Sequence, residues 1–208
     1  MIHAHPTIAS WKRLLRRLLD DRSGATLTEF AFVGPVLIVM IMGIFDMAHT
    51  QYTSALINGA LQKAGRDMTL ENAASRISVT DARVRTQVLN VAPNGAVVEF
   101  ERLSHFDFSD IGEAEEVIEP AATANQRCDP GETFIDANGN GAWDSDRGAD
   151  GIGGARDAVL YTAIVTYPRL FPMYELIGLS ENVTLRASTV LRNQPFDEQN
   201  RSTTTEDC

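Results

Sequence analysis

One segment of this 208-residue chain narrows its possible folds more than any other. Phe30–Phe45 reads FAFVGPVLIVMIMGIF, 16 residues without a charge. A helix rises 1.5 Å per residue, so this run spans roughly 24 Å, slightly short of a hydrocarbon core of about 30 Å. Extension through Ala25–Thr28 on one side and to Ala48 on the other supplies the missing length and adds only Glu29 and Asp46 as charges. A core helix of a soluble domain would carry polar residues along one side, and this run has none. The sequence therefore predicts a single membrane-crossing helix over residues 25–48. Pro35 lies inside it beside Gly34, where a missing N–H predicts a kink.

Charge is divided around this segment. The net charge of −10 conceals a balance of +3 on residues 1–24, from Lys12, Arg13, Arg16, Arg17 and Arg22 against Asp20 and Asp21, and −13 on the rest. A basic head before an apolar helix stays on the cytoplasmic side. Within it, Trp11–Leu19 reads equally well as a short helix lying on an anionic membrane face or as a plain basic flank. The acidic remainder repels phosphate backbones, so nucleic acid is not expected as a partner.

Beyond Asp46 the pattern becomes amphipathic. Met47, Tyr52, Leu56, Ala60, Leu61 and Ala64 recur at helical spacing, so one helix is predicted over 25–67, with Gly59 and Gly65 as weak points. A second helix is predicted over Ser78–Asn90, capped by Thr80 or Asp81, with Val84, Val88 and Leu89 on its apolar side. Pro93-Asn94-Gly95 is a turn. Strands are predicted at Ala96–Leu103, Ala158–Tyr167 and Asn182–Arg192 from alternation and β-branched content. Residues 104–127, with Glu113, Glu115, Glu116 and Glu119, read as a surface loop. Residues 128–157 are rich in Gly, Asp and Asn and are expected to lack regular structure. Pro168–Ser180 reads as an irregular connection, and the tail from Asn193 as polar. The fold class is α+β: a long N-terminal transmembrane helix packed on a small antiparallel sheet. The organisation is a basic leader over 1–24, the long helix over 25–67 with its membrane half at 25–48, and an acidic extracytoplasmic domain over 68–208.

Cys128 and Cys208 are the two cysteines. In an oxidising compartment they predict one disulfide, which would pin the last residue of a polar tail; two separate thiols remain the alternative. Catalytic chemistry is not expected. His3, His5, His49 and His105 have no zinc-binding spacing, Ser104, His105 and Asp107 lie too close in sequence for a triad, and Gly148–Gly154 lacks the Lys-Ser/Thr of a phosphate loop.

Asp136–Arg147 has oxygen-bearing residues at alternate positions, Asp136, Asn138, Asn140 and Asp144, with Gly141 sixth and the Ala142 carbonyl seventh. This resembles an EF-hand calcium loop, with Asp146 close by. Position twelve is Arg147 where that pattern requires Glu, so weak calcium binding and a solvated Asp/Asn/Gly turn remain equally open. No other cofactor is implied.

The basic head meets the apolar run at Arg22-Ser23-Gly24-Ala25-Thr26-Leu27-Thr28-Glu29-Phe30. An ordinary secretory signal is cut after its apolar segment, which here would remove the anchor. The junction instead resembles a type IV prepilin leader. More narrowly, Arg22, Gly24, Ala25, Glu29, Phe30 and Ala31 match the hallmark of TadE-like minor pseudopilins of the tight adherence (Tad) pilus, and the resemblance covers about residues 20–65. Leu185–Phe196 is similar as well, less specifically. The resemblance implies a pilin-like fold and cleavage between Gly24 and Ala25 by a prepilin peptidase. It also implies assembly through Glu29 and Phe30 with other pilin-like subunits and the Tad platform. The location implied is the bacterial inner membrane, N-terminus cytoplasmic and C-terminal domain periplasmic. The competing expectation is a permanently anchored periplasmic binding or adhesion module with a weak calcium site.

Overall fold

The computed structural model describes residues 23–68, 73–118, 127–172, 174–194 and 204–208. Most of the basic leader, including Trp11–Leu19, lies outside the described residues, as do Glu119 and residues 195–203. The chain divides into two compact units, residues up to Met47 and Ala48–Cys208.

Helix α1 runs from Ser23 to Met68 without interruption at Pro35. In its first unit, Gly34 is buried beneath the Phe30 ring, and a Cβ at Gly34 would come within 3.3 Å of that ring. Phe30 thus folds along the helix over the turn where Pro35 offers no N–H to the Ala31 carbonyl.

The second unit begins with the last turns of α1. Ile57, Ala60, Leu61, Ala64 and Met68 are buried, spaced by three and four, as one helix face requires. This corrects the predicted face: Met47 and Tyr52 are exposed, Leu56 is only partly buried, and Ile57 is a centre of the core. Gly65 is also a contact, since a Cβ there would stand 3.2 Å from Thr189 Cγ2. Helix α2 spans Ala73–Leu89, five residues earlier in its start than predicted. Thr80 and Asp81 are therefore interior residues rather than caps. Val84 and Val88 face the core while Leu89 is exposed.

Four strands form the main sheet: β1 (Val97–His105), β4 (Ala149–Asp150), β5 (Ala158–Pro168) and β6 (Asn182–Arg192). Their order is β4-β1-β5-β6, all antiparallel. Central β5 is fully buried on the face of Val159, Tyr161, Ala163, Val165 and Tyr167 and partly buried on the other, whereas β6 at the edge has buried residues separated by exposed ones. The register sets Val98 opposite Val165, Val165 opposite Leu185, and Ala163 between Phe100 and Ala187. These side chains share one face and join Tyr161, Tyr167, Val159, Val183 and Leu191 in a single core with α1 and α2.

A second sheet was not expected. It consists of β2 (Val117–Ile118), β3 (Thr133–Asp136) and β7 (Thr204–Asp207), in the order β2-β3-β7. Residues 128–157 thus contain two short strands, and the polar tail ends in a strand. Cys208 is bonded to Cys128, and its backbone N–H donates to the Glu132 carbonyl at 3.0 Å. Nor is Pro168–Ser180 wholly irregular, because Tyr174–Ile177 forms the single-turn helix α3.

Candidate functional site

Two parts of the molecule hold the residues singled out by sequence. The first is the start of α1. Gly24 and Ala25 lie in its opening turn, where the missing upstream hydrogen bonds make helix weakest. Glu29 follows one turn on and is exposed, next to an exposed Phe30. Leu27, Val33, Val36, Ile44 and Phe45 are exposed as well, and Phe32 is 82% exposed. Thr26–Met68 is long and apolar enough to cross a membrane, and only 11% of its most apolar stretch is buried. A soluble core helix would hide that stretch. An exposed apolar surface of this length needs lipid or other helices around it, and a membrane anchor fits it.

The second part is the Asp136 loop. Buried Asp136 accepts the N–H groups of Gly139 (2.6 Å), Asn140 (3.2 Å) and Gly141 (2.9 Å). Asn138 and Asn140 donate their side-chain amides to one Asp144 oxygen at 2.9 and 2.6 Å. The Ala142 N–H donates to Asn140 Oδ1 at 2.7 Å. Asp136, Asn138, Asn140 and Asp144 are therefore brought together. Asp146 lines the same cavity as Asn138, Asn140 and Asp144, while its Oδ1 meets His105 Nε2 at 2.6 Å and accepts the Gly148 N–H at 3.0 Å. Arg147 leaves the loop too, donating Nε and Nη2 to the Ala114 carbonyl at 3.1 and 2.7 Å.

Glu115 completes this loop. Its acidic stretch predicts a surface loop, yet Glu115 is buried, and its carboxylate reaches the Asp136 loop. One oxygen accepts the Ala137 and Asn138 N–H groups at 2.8 and 3.4 Å, and the other accepts that of Asp144 at 3.0 Å. Trp143 Nε1 donates to the Glu115 carbonyl at 3.1 Å. Nothing in the local pattern separates Glu115 from its acidic neighbours, since the contact spans more than twenty residues of chain. Among the described residues, no group of three or more His, Cys, Asp or Glu side chains is placed to hold a metal ion.

A third polar cluster lies between α2 and the main sheet. Tyr161 Oη donates to Asp81 at 2.7 Å, and Arg102 donates to the same carboxylate while its guanidinium lies 4.7 Å from the Tyr161 ring centroid. Burial foremost, then the hydrogen bond to Asp81, raises the Tyr161 phenol well above its ordinary 10. The cluster joins helix to sheet.

The comparison with known families falls on the first part. Residues 24–66 match the family model described as TadE-like protein. Over these residues the long helix is similar to that family. The match begins at Gly24 and ends within α1, two residues before Met68. The TadE-like segment thus contains Gly24, Ala25, Glu29 and Phe30, together with the core-facing Ile57, Leu61 and Ala64. No curated protein and no solved structure matches the chain.

Proposed function

We propose that this protein is a structural minor pseudopilin of a Tad-type pilus or secretion apparatus. It is inserted in the bacterial inner membrane with residues 1–24 cytoplasmic and the acidic domain periplasmic. A prepilin peptidase cuts after Gly24, and the subunit assembles through its apolar helix with other pilin-like subunits. The observation carrying this reading is the coincidence of the TadE-like match, Gly24–Arg66, with a helix whose first half exposes apolar side chains. Glu29 supports it chemically. A carboxylate at the edge of lipid demands a partner, and the α-amino group released at Ala25 of a neighbouring subunit is a suitable one. Intact mass and N-terminal sequencing of the protein made with a prepilin peptidase are expected to show a start at Ala25. A mature chain that retains residues 1–24 would overturn the reading.

The second reading keeps the anchor permanently and makes the outer domain a binding or adhesion module with a weak calcium site. Its support is the convergence of Asp136, Asn138, Asn140 and Asp144 in one loop. Without a bidentate acid at position twelve, calcium would act at roughly 10⁻⁴–10⁻³ M. Thermal unfolding in millimolar calcium against chelator decides, and an unchanged midpoint removes this reading.

A further inference from the structure

The connection between β5 and β6 carries a second apolar surface, and it belongs entirely to the unit Ala48–Cys208. The two strands end on the pair Pro168–Asn182. Beyond it the connection is clamped. The Arg169 N–H donates to the Glu181 carbonyl at 3.0 Å, and Arg169 Nε donates to the Ser180 carbonyl at 2.9 Å. At the tip, α3 is closed by the Leu179 N–H on the Tyr174 carbonyl at 3.0 Å, through Gly178 at φ 71°. This folded connection nevertheless exposes Leu170, Leu176 and Leu179 by 41%, 75% and 48%. Single exposed leucines are ordinary; three within ten residues of one clamped connection are apolar area that water does not favour.

Its position says what covers it. Tyr167, next to Pro168, meets the His49 ring edge-on at 5.8 Å between centroids. His49 also donates from Nε2 to the Val91 carbonyl at 3.3 Å. His49 is the second residue of this unit and directly follows the segment 25–48. The β5–β6 turn end of the sheet is therefore in contact with the helix residue that directly follows the proposed span. The other end of the β5–β6 ladder, the pair Ala158–Arg192, lies ten residue steps away, roughly 33 Å at about 3.3 Å per residue.

We propose that Arg169–Pro172 and Tyr174–Leu179 of this connection rest in the headgroup–acyl boundary of the bilayer that holds residues 25–48. Leu170, Leu176 and Leu179 supply the apolar contact, Phe171 and Tyr174 the aromatic ring chemistry favoured at headgroup depth, and Glu175 remains on the aqueous side. The covalent anchor holds the connection near the surface, so even a small apolar contact is used at high effective concentration. Lipid is the occupant, rather than a second copy, because this end of the sheet is in contact with the residue that directly follows the proposed span. The inference rests on the membrane-anchor part of the proposed function. It makes the connection a second foothold, which must leave the lipid whenever the subunit is extracted for assembly.

The test uses the full chain in vesicles of phosphatidylethanolamine and phosphatidylglycerol. A photoreactive phenylalanine analogue replaces Leu176, and in parallel chains Ile41 in the apolar run or Val190, 42% exposed on β6. After illumination, mass spectrometry is expected to find lipid adducts at 41 and 176 and background at 190. The probe in place of Leu179 gives an independent reading of the same surface. Adducts at 41 with background at 176 and 179 overturn this inference and leave the anchor standing. Background at 41 overturns the anchor itself and this inference with it. Capture of a second copy at 176 in place of lipid overturns it too, by making the connection a subunit contact.

Discussion

Glu115 is the residue whose role the structure changes most. It lies in an acidic stretch, and solvent exposure is the ordinary fate of such a side chain. Its burial is possible because both oxygens accept backbone N–H groups, three in all, from the loop it supports. Glu115→Gln replaces one acceptor by a donor, so one amide orientation loses Asp144 and the other loses Ala137 and Asn138. The expected loss is about 1–3 kcal/mol of stability, read as a lowered midpoint in denaturant. Tyr161 gives a prediction about pH. Its phenol is protonated more firmly in the folded than in the unfolded chain, because burial and the bond to Asp81 raise its pKa. The corresponding stability is complete below the unfolded value near 10 and is lost as pH rises through the folded one. Wild type should therefore lose stability above about pH 10 more steeply than Tyr161→Phe, as measured by denaturant unfolding at stepped pH.

At the scale of elements, legibility followed the kind of force that forms each one. Strand β6 was predicted with the bounds it has, and β5 ends one residue later than predicted, because β-branched alternation is a local signal. The long helix differs at its ends by only a residue or two, since an apolar run followed by helical spacing is local too. Strand β7 was not legible. Thr204–Asp207 is polar and wholly exposed, and it forms a strand because β3 pairs with it and the Cys128–Cys208 bond holds its end. That bond joins residues 80 apart in sequence. Reduction is expected to cost at most about 4–5 kcal/mol by the loop-entropy estimate. The loss should appear first as faster amide exchange in Thr204–Asp207, with the β5–β6 ladder still protected; uniform loss of protection would show that the disulfide holds the main sheet as well.

For the whole molecule, the apolar half of α1 decides between a membrane protein and a soluble one. Ile38→Arg places a charge near the middle of the uncharged run, at a cost of about 2.5–3.5 kcal/mol for insertion. The variant is expected to move in part from the membrane pellet to the soluble or degraded fraction after alkaline extraction, while wild type stays in the pellet. The sequence by itself determined the long apolar helix, its TadE-like junction at Gly24–Glu29 and the main α+β character, because hydrophobic period and length act within a short stretch of chain. Only the tertiary structure decided that Ile57 and not Tyr52 faces the core, that Glu115 supports the Asp136 loop, that a polar tail is a strand, and that Tyr167 at the end of β5 meets His49. Each of these depends on which distant backbone groups and side chains the fold brings within hydrogen-bonding or packing distance, and local pattern carries no record of that.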